Sequence, residues 1–248
     1  MRAAVLTAPG QLEVTELEPP PLPDTWGSVR VEVCGLCGTD AEQFDGSFTG
    51  SGWPPGPLIP GHEIVGVLER LPDGFERRGF RVGDRVAVEP TIPCGTCRAC
   101  LDGAYVSCNG WPTRPYAYGF VPLAEPPGLW GGYAEQIALH PRAVVHRVPP
   151  TLDAGTASLF NAVGTAWEWT VRAPRLEFGH RVLVLGAGQR GLAAVVVALA
   201  AGAAEVMVTG VSADVRRLEH ARALGASVAV DVDRESVVDA VRERTDGR

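Results

Sequence analysis

Short runs in which apolar residues alternate with polar ones open the chain and predict strands. These patterns cover residues 3–7, 12–16, 28–33 and 64–68, a turn leading into a strand at 83–88, and a strand that ends at Leu139. In the third run Val31 and Val33 alternate with charged residues, which is typical of a strand with one buried face. A proline-rich segment at 19–23 separates two of the runs. These patterns therefore predict a β domain over residues 1–150.

Beyond residue 150, helical patterns alternate with short apolar strands. A helical segment at 151–173 begins with Thr151 as its N-cap, directly after two prolines. The elements that follow are a strand at 181–185, a helix at 192–201, a strand at 205–209, a helix at 211–224, a strand at 228–230 and a helix at 235–244. Strands joined by helices predict a parallel sheet with helices on its faces. We therefore expect an α/β plus β fold with two domains, residues 1–150 and 151–248.

Composition limits the classes of protein to which this chain could belong. Of its 248 residues, 46% are hydrophobic and 21% charged, and no apolar run reaches the ~18 residues of a membrane span. No signal peptide is visible, so we expect a cytoplasmic protein with no membrane partner. The net charge is −7 and the basic residues are scattered, which argues against a nucleic-acid partner. All 22 basic residues are arginine, and the lack of lysine excludes Schiff-base catalysis, pyridoxal phosphate attachment and a P-loop.

Four of the six cysteines form one closely spaced cluster. Cys94, Cys97, Cys100 and Cys108 follow the spacing C-x2-C-x2-C-x7-C in a lobe at residues 90–110 that is too small to build a core. A tetrahedral zinc with four thiolate ligands would hold such a lobe and contribute on the order of 10 kcal/mol of binding free energy. Disulfides are the alternative, but the spacing and a reducing compartment disfavour them.

A second group of metal-ligand residue types lies near the end of the predicted strand at 28–33. Cys37 and His62 supply two ligands of the kind that a catalytic zinc uses, with a position left open for water or substrate. Thr39 could relay a proton, and Asp40 could accept the free ring N–H of a ligating histidine. The alternative is that Cys37 is a small buried hydrophobe and that His62 caps a strand.

A glycine-rich turn joins a predicted strand to a predicted helix at residues 181–201. In the sequence Gly186-Ala-Gly-Gln-Arg-Gly191, the first glycine permits a tight turn, the second lets the backbone approach a pyrophosphate, and the third allows close helix packing. We expect a dinucleotide at the N-terminus of this helix. The candidate contacts are Gly186, Gly188, Gln189, Arg190 and Gly191. A glycine-rich turn of an unrelated α/β unit is the alternative.

The choice between NAD and NADP depends on the end of the next strand. In NAD-binding folds an acidic residue about 20 positions after the glycines binds the ribose 2′-OH. Gly210 stands there instead, and Arg216 or Arg217 could reach a 2′-phosphate at the start of the following helix. The sequence therefore favours NADP and leaves NAD open.

The strings Cys34-Gly-Leu-Cys-Gly-Thr-Asp and Pro60-Gly-His-Glu-Ile-Val-Gly resemble the zinc-dependent alcohol dehydrogenases of the medium-chain dehydrogenase/reductase superfamily. The resemblance extends over the whole chain, including a similar glycine-aromatic-alanine-glutamate segment at 132–135. It implies a GroES-like β domain followed by the first half of a doubly wound Rossmann domain. It also implies two zinc ions, one catalytic and one structural in the cysteine lobe, an alcohol or carbonyl substrate, and a homo-oligomer, dimer or tetramer, in a full-length form.

The resemblance also assigns roles to individual residues of the metal stretch. Cys37 and His62 look like catalytic zinc ligands, and Glu63 looks like the carboxylate beside the metal. Several branches of the family place a third ligand where Asn161 aligns, and an asparagine carbonyl is a poor zinc ligand. Either Glu63 completes a site with Cys37, His62 and water, or the catalytic zinc is weakly held.

The leading hypothesis is an oxidoreductase that interconverts a secondary alcohol, polyol or sugar and a carbonyl compound, with zinc as the Lewis acid and a nicotinamide cofactor accepting hydride. A zinc-free NADPH-dependent enone or quinone reductase of the same superfamily is one alternative. A non-catalytic, truncated zinc- and nucleotide-binding relic is another.

Three further expectations concern individual segments. The Gly/Pro-rich segment 44–60 contains three aromatic residues, Phe44, Phe48 and Trp53. These side chains could line a substrate pocket, and a solvated surface loop is equally compatible with this composition. His140, His146, His180 and His220 are expected to be ordinary surface or turn histidines. Because the second domain shows only three predicted strands, we expect the 248-residue chain to position the nicotinamide poorly and to turn over little.

Overall fold

The apolar strand patterns of the first 150 residues become an antiparallel β structure, as predicted. A computed structural model describes residues 1–47, 56–112, 115–245 and 247. The chain divides into two compact units, residues 1–159 and 160–248. The first unit is rich in β-strands, and in the second strands alternate with helices. The predicted order of a β domain followed by an α/β domain is confirmed.

The first unit contains nine strands and three short helices in its described residues. The strands are β1 (Arg2–Ala8), β2 (Gln11–Glu16), β3 (Gly27–Gly35), β4 (Glu63–Arg70), β5 (Arg85–Val88), β6 (Thr91–Ile92), β7 (Tyr116–Ala117), β8 (Gln136–Leu139) and β9 (Val145–Arg147). The helices are α1 (Gly38–Asp45), α2 (Arg98–Leu101) and α3 (Ala154–Ala157), with 3-10 turns at Glu76–Arg78 and Tyr105–Ser107.

A five-stranded antiparallel sheet in the order β8-β3-β4-β5-β9 carries the site that is described below. In the β3–β4 ladder Val33 lies opposite Val65, Cys34 opposite Ile64, and Gly35 opposite Glu63. This register brings the end of β3 next to the start of β4. Residues just after β3 and just before β4 therefore meet at one end of the ladder, although they are about 25 positions apart in sequence.

The interior of the first unit is packed with aliphatic and aromatic side chains. Val29, Ile64, Leu68, Phe75, Val86, Trp130 and Ile137 are among its fully buried members. Trp26 packs edge-on against Trp130, with ring centroids 5.3 Å apart, and against His140 at 4.6 Å. His140 is thus not an ordinary surface histidine, because aromatic rings enclose it. Burial, with the nearby Arg142 charge, lowers the pKa of His140 to about 4 and keeps its ring neutral.

The second unit is built on three parallel strands in the order β10-β11-β12. Its elements are α4 (Phe160–Trp167), a π-helical segment (Glu168–Arg172), β10 (Arg181–Leu185), α5 (Gln189–Ala200), β11 (Glu205–Gly210), a 3-10 turn (Ser212–Asp214), α6 (Val215–Ala223), β12 (Val228–Asp231) and α7 (Val237–Thr245). Val195 and Ala198 of α5 pack on Val206 and Val208 of β11 in its core. Within the described residues, no helix has the length and apolar character that crossing a bilayer requires.

The prediction of one continuous helix over residues 151–173 is wrong. The first helix begins later than predicted, and α3 and α4 are separate helices. Asp153, not Thr151, caps α3, since its side chain accepts a hydrogen bond from the Thr156 backbone N–H at 2.9 Å. The Ser158 hydroxyl donates to the Gly155 carbonyl at 2.7 Å, and α3 ends there. A side chain that bonds to the local backbone competes with helix continuation, which the apolar period alone does not reveal.

Gly66 of β4 shows how closely the strands of the five-stranded sheet approach. A Cβ at this position would overlap the carbonyl oxygen of Arg30 on β3 and would lie 2.6 Å from a methyl group of Val29. We expect Gly66→Ala to lower the free energy of unfolding by about 1–3 kcal/mol or more, because backbone has to move. Urea denaturation measures this change.

The matched control is Gly164→Ala in the exposed part of α4, where a Cβ would meet no atom within 4 Å. Alanine there should leave stability unchanged or raise it by about 0.5–1 kcal/mol, because glycine is costly in a helix. Equal stability of the Gly66→Ala protein and the parent would contradict the packing of β3 on β4.

Candidate metal centres and dinucleotide-binding turn

The first turn of α1 fixes the cysteine of the predicted catalytic group. Cys37 is the N-cap of α1 with extended backbone, two residues after β3 ends. Its backbone N–H donates to Asp40 Oδ2 at 2.7 Å, a bond that is buried. Such a bond satisfies one of the backbone N–H groups at a helix start, and it also locks the Asp40 carboxylate in place.

His62 and Glu63 come to the same place from the start of β4. Gly61, with φ of +91°, turns the chain just before them, and both side chains are buried. The Cys37 sulfur, a His62 ring nitrogen and a Glu63 carboxylate oxygen all lie within 4.8 Å of one another. The structure thus brings three of the predicted residues together within one unit. Thr39 is adjacent, with its hydroxyl 3.8 Å from the Cys37 sulfur.

Hydrogen bonds and charges within this group shift the pKa values of Cys37, His62 and Asp40. Hydrogen bonding to His62 lowers the pKa of Cys37 against the opposing effect of burial. Burial alone would lower the pKa of His62, but its interactions with Asp40 and Cys37 outweigh burial and raise the pKa to about 9. Burial alone would likewise raise the pKa of Asp40, which the His62 interaction lowers instead.

These residues fit a zinc ion. Asp40 Oδ1 lies 3.4 Å from His62 Nδ1, which assigns that nitrogen to the carboxylate and leaves Nε2 to bind a metal. Thiolate, imidazole and carboxylate are the donors of catalytic zinc sites, and three such donors leave an open coordination position. A cation would also stabilise the carboxylate of Glu63, which is only 1% exposed.

Sequence reasoning missed several residues that shape this group. A Cβ on Gly35 would overlap Glu63 Oε2, so glycine at this position makes room for the carboxylate. The Phe120 ring lies 5.2 Å from the His62 ring. Cys34 is half-buried against Gly61 and Gly132, and burial raises the pKa of its thiol to about 12. Gly35 pairs directly with the buried Glu63 across the β3–β4 ladder, and this pairing identifies its role.

The four-cysteine lobe has the geometry of a closed metal site. The sulfur atoms of Cys94, Cys97, Cys100 and Cys108 all lie within 4.8 Å of one another. The sulfurs of Cys94 and Cys100, and those of Cys97 and Cys108, are 3.9 Å apart, whereas a disulfide needs about 2.05 Å. None of the six cysteines forms a disulfide. The Thr96 backbone N–H and hydroxyl lower the pKa of Cys94, which helps it to bind a metal as thiolate.

Arg142, which sequence reasoning also missed, ties this lobe to the β structure. Its guanidinium donates to the Cys94 carbonyl and lies 5.8 Å from the centre of the Trp111 ring. Tyr105 at the other end of the lobe donates its hydroxyl to Glu89 at 2.7 Å. The lobe is therefore anchored at both ends, independently of any metal.

The glycine-rich turn of the second unit has the backbone that a pyrophosphate site requires. Gly186 has φ of +100°, and Gly188 is the N-cap of α5. A Cβ on Gly191 would overlap the Gly186 carbonyl, so only glycine lets the helix approach the turn. The Thr209 hydroxyl accepts a hydrogen bond from the Gly186 N–H at 3.2 Å and holds the turn against β11. The N-terminus of α5 is thereby presented to an anion.

The residues that were expected to choose between the two cofactors lie after β11. Gly210 ends that strand, and a Cβ there would be 3.1 Å from Leu218. Arg217 pairs with Asp214 at 2.8 Å, whereas Arg216 is exposed. Gln189 opens α5, and the guanidinium of Arg190 lies 5.2 Å from the Trp169 ring centre.

Two other predictions concern the aromatic residues of segment 44–60 and Asn161. Phe44 of α1 is partly exposed, while Phe48 and Trp53 lie outside the described residues. Asn161 is half-buried on α4 in the second unit, whereas Cys37, His62 and Glu63 all belong to the first.

Comparison with known proteins places these sites in a family context. Residues 23–150 match the model of the alcohol dehydrogenase GroES-like domain. A probable alcohol dehydrogenase from Mycobacterium tuberculosis is 43% identical over 249 residues, which cover all of this chain and 66% of that protein. The chain thus spans just under two thirds of the length of this curated relative.

Solved structures that are similar to this chain are also dehydrogenases. The chain is similar to an alcohol dehydrogenase from Thermus sp. ATN1, with a TM-score of 0.83 and 30% identity, covering 100% of this chain and 68% of that one. It is also similar to a putative zinc-binding dehydrogenase from Sinorhizobium meliloti bound to NADP, with a TM-score of 0.79 and 27% identity over 96% of this chain and 64% of that one. The predicted GroES-like domain followed by part of a Rossmann-like fold is confirmed.

Removal of one thiol tests the cysteine lobe. We expect Cys97→Ser to lower the melting temperature and to release about one zinc equivalent, because an opened coordination sphere loses most of its binding free energy. Metal analysis together with thermal melting measures both effects. Cys34→Ser, which removes a thiol outside the lobe, is the control and should keep its metal. Unchanged metal content and melting of the Cys97→Ser protein would contradict a metal-held lobe.

Proposed function

The chain belongs to the family of the alcohol dehydrogenase GroES-like domain, and we propose that it is a zinc-dependent oxidoreductase that interconverts an alcohol and a carbonyl compound with a nicotinamide dinucleotide. The observation that carries this proposal is the buried cluster of Cys37, His62 and Glu63, whose donor atoms lie within 4.8 Å of one another. A second zinc in the four-cysteine lobe completes the proposed metal content of two ions per chain.

Each residue of the buried cluster has a defined task in this proposal. Cys37 binds as a thiolate, which the neighbouring His62 already favours. His62 binds through Nε2 because Asp40 takes Nδ1, and Glu63 contributes the carboxylate oxygen. When bound, zinc supplies Lewis acidity that stabilises negative charge on the substrate oxygen. The buried surroundings of the three ligands exclude bulk water and strengthen these interactions.

Thr39 is the proposed proton relay. Its hydroxyl lies 3.8 Å from the Cys37 sulfur and belongs to a half-buried side chain at the start of α1. A hydroxyl can accept a proton from an alcohol oxygen while it donates its own proton onward, which is the role that we assign to Thr39. Asp40 is buried and bonded to the Cys37 backbone, so its role is to orient His62 rather than to exchange protons.

The dinucleotide binds at the turn of the second unit in this proposal. Gly186, Gly188 and Gly191 let the pyrophosphate approach the N-terminus of α5, with Gln189 and Arg190 beside it. Gly210 leaves no carboxylate at the end of β11 to accept a ribose 2′-OH, and Arg216 is exposed nearby. NADP is therefore the preferred cofactor and NAD the second choice. The similar structure from Sinorhizobium meliloti, which is bound to NADP, supports the same order.

The alternatives differ in what they require of the same residues. A zinc-free enone or quinone reductase has no use for a buried thiol, imidazole and carboxylate that cluster within 4.8 Å. A non-catalytic binding protein would keep both the cluster and the turn, so only turnover separates it from an enzyme. The proposed substrate is a secondary alcohol, polyol or sugar, as the resemblance to the family implies.

The third ligand is tested by a pair of variants. Glu63→Gln should weaken zinc at the catalytic group by more than about tenfold, since a neutral amide oxygen is a poor ligand and even outer-shell changes cost that much. Asn161→Ala should have little effect, because the cluster forms within the first unit. Competition with a chromophoric chelator measures both affinities. A larger loss for Asn161→Ala than for Glu63→Gln would assign the third ligand to Asn161.

The function itself is tested by metal analysis joined to a cofactor-coupled screen. We expect about two zinc equivalents per chain, binding of NADP in preference to NAD, and reduction of the bound cofactor with a secondary alcohol, polyol or sugar. Cys37→Ala is the matched control for any turnover. Binding of zinc and dinucleotide without turnover would favour the non-catalytic alternative, and turnover unaffected by Cys37→Ala would favour the zinc-free reductase.

A further inference from the structure

Unpartnered buried atoms concentrate beside the Cys37 group. Among the described residues, four buried side-chain polar atoms lack a full hydrogen bond, namely Asp40 Oδ1, His62 Nδ1, Tyr133 Oη and Gln43 Oε1. Three of them meet at Asp40. A buried polar atom without a hydrogen bond costs about 1–3 kcal/mol, so a cluster of three needs an explanation.

Asp40 Oδ1 is the atom that can satisfy the other two. Its distance from His62 Nδ1 is 3.4 Å, and Oδ2 of the same carboxylate is already bonded to the Cys37 backbone. The Tyr133 hydroxyl interacts with the same carboxylate, without the distance and angle of a full hydrogen bond. A carboxylate oxygen has room for two donors, and a ring N–H and a phenol O–H would fill it.

The backbone holds Tyr133 in place for this contact. Its N–H donates to the Pro60 carbonyl at 3.0 Å, and its carbonyl accepts from the Ala4 N–H at 2.8 Å. Its ring packs on Gly61, where a Cβ would lie 2.7 Å from Cδ1 of the tyrosine. The ring therefore rests on the residue that precedes His62, and Tyr133 lines the same cavity as Asp40.

No other polar group replaces Tyr133 on its side of Asp40. Both residues line a cavity of about 290 Å³ whose other walls are apolar: Leu6, Leu12, Leu36, Ala41, Phe44 and Pro60. Within this described lining, the only side chain that can donate a hydrogen bond is that of Tyr133. Burial, together with the Asp40 charge, raises the pKa of Tyr133, so the phenol keeps its proton and remains a donor.

We propose that Tyr133 is a positioning residue, whose hydroxyl donates to Asp40 Oδ1 and holds that carboxylate against Nδ1 of His62. The carboxylate is then fixed at both oxygens, by the Cys37 backbone and by Tyr133, and it holds the imidazole so that Nε2 points to the metal. The inference rests on the proposed metal site. It adds the phenol of Tyr133 to the Asp40–His62 pair. The orientation of these two side chains then depends on a residue outside the Cys37 and His62 segments.

Tyr133→Phe removes the hydroxyl and keeps the ring. We expect it to weaken Co²⁺ binding at the Cys37 group about tenfold, the size of loss seen when a group outside the ligand set is removed. The d–d absorption of bound Co²⁺ should also change, because a freer imidazole alters the ligand field. Co²⁺ is titrated into protein whose four-cysteine lobe already holds zinc, and retention of that zinc reports that the variant is folded. Tyr105→Phe, which removes the hydroxyl bonded to Glu89, is the matched control and should bind Co²⁺ as the parent does.

A double-mutant cycle separates positioning from general packing. If Tyr133 acts through Asp40, Tyr133→Phe should lose most of its effect in an Asp40→Asn background, because the two residues serve one bond network. Equal losses in both backgrounds would overturn the proposal, as would a Tyr133→Phe protein with the Co²⁺ affinity and spectrum of the parent. Failure of the parent itself to bind Co²⁺ at Cys37 would overturn the proposed metal site along with this inference.

Discussion

The antiparallel pairing of β3 with β4 is the constraint on which the candidate catalytic site depends. Because Gly35 lies opposite Glu63 in that ladder, Cys37 and His62 meet just beyond its end. Gly35 lacks the Cβ that would displace the Glu63 carboxylate. A shift of one residue in the pairing would move every side chain of the shifted strand to the other face of the sheet and separate the ligands. The register that packs the core therefore also sets the geometry of the metal site.

Local patterns predicted the strands and the glycine-rich turn well, because their signals lie within a few residues. β10 has the bounds that its apolar run predicts, and Gly186, Gly188 and Gly191 adopt the expected tight turn. The break after α3 was not predictable from apolar spacing, since it coincides with a hydroxyl that bonds to the local backbone. Tyr133 and Arg142 were missed for a different reason. They reach their partners across long sequence separations, and a single sequence carries no signal for such contacts.

The two metal centres differ in how the fold prepares them. In the cysteine lobe, backbone N–H groups from Thr96 and Cys97 point at the Cys94 sulfur, and anchors at both ends hold the loop to the β structure. Four thiolates then close the coordination sphere, which suits a structural role. At Cys37 three donors converge among the described residues, which is the number of protein ligands that a catalytic zinc would use. The sequence predicted both groups, and the β3–β4 pairing explains how the distant residues of the second group come together.

Assembly of the Cys37 group within a single unit separates metal binding from cofactor binding. All three donors, with Asp40 and Tyr133 behind them, come from residues 1–159, and the dinucleotide turn belongs to residues 160–248. The interactions that accompany the burial of Asp40, His62 and Glu63 therefore lie within the first unit. A metal that binds there would stabilise the folded unit, and the gain would grow with the affinity of the site for the metal. The proposal of Glu63 as the third ligand follows from the same arrangement, because Glu63 lies beside Cys37 and His62 in the first unit, whereas Asn161 belongs to the second.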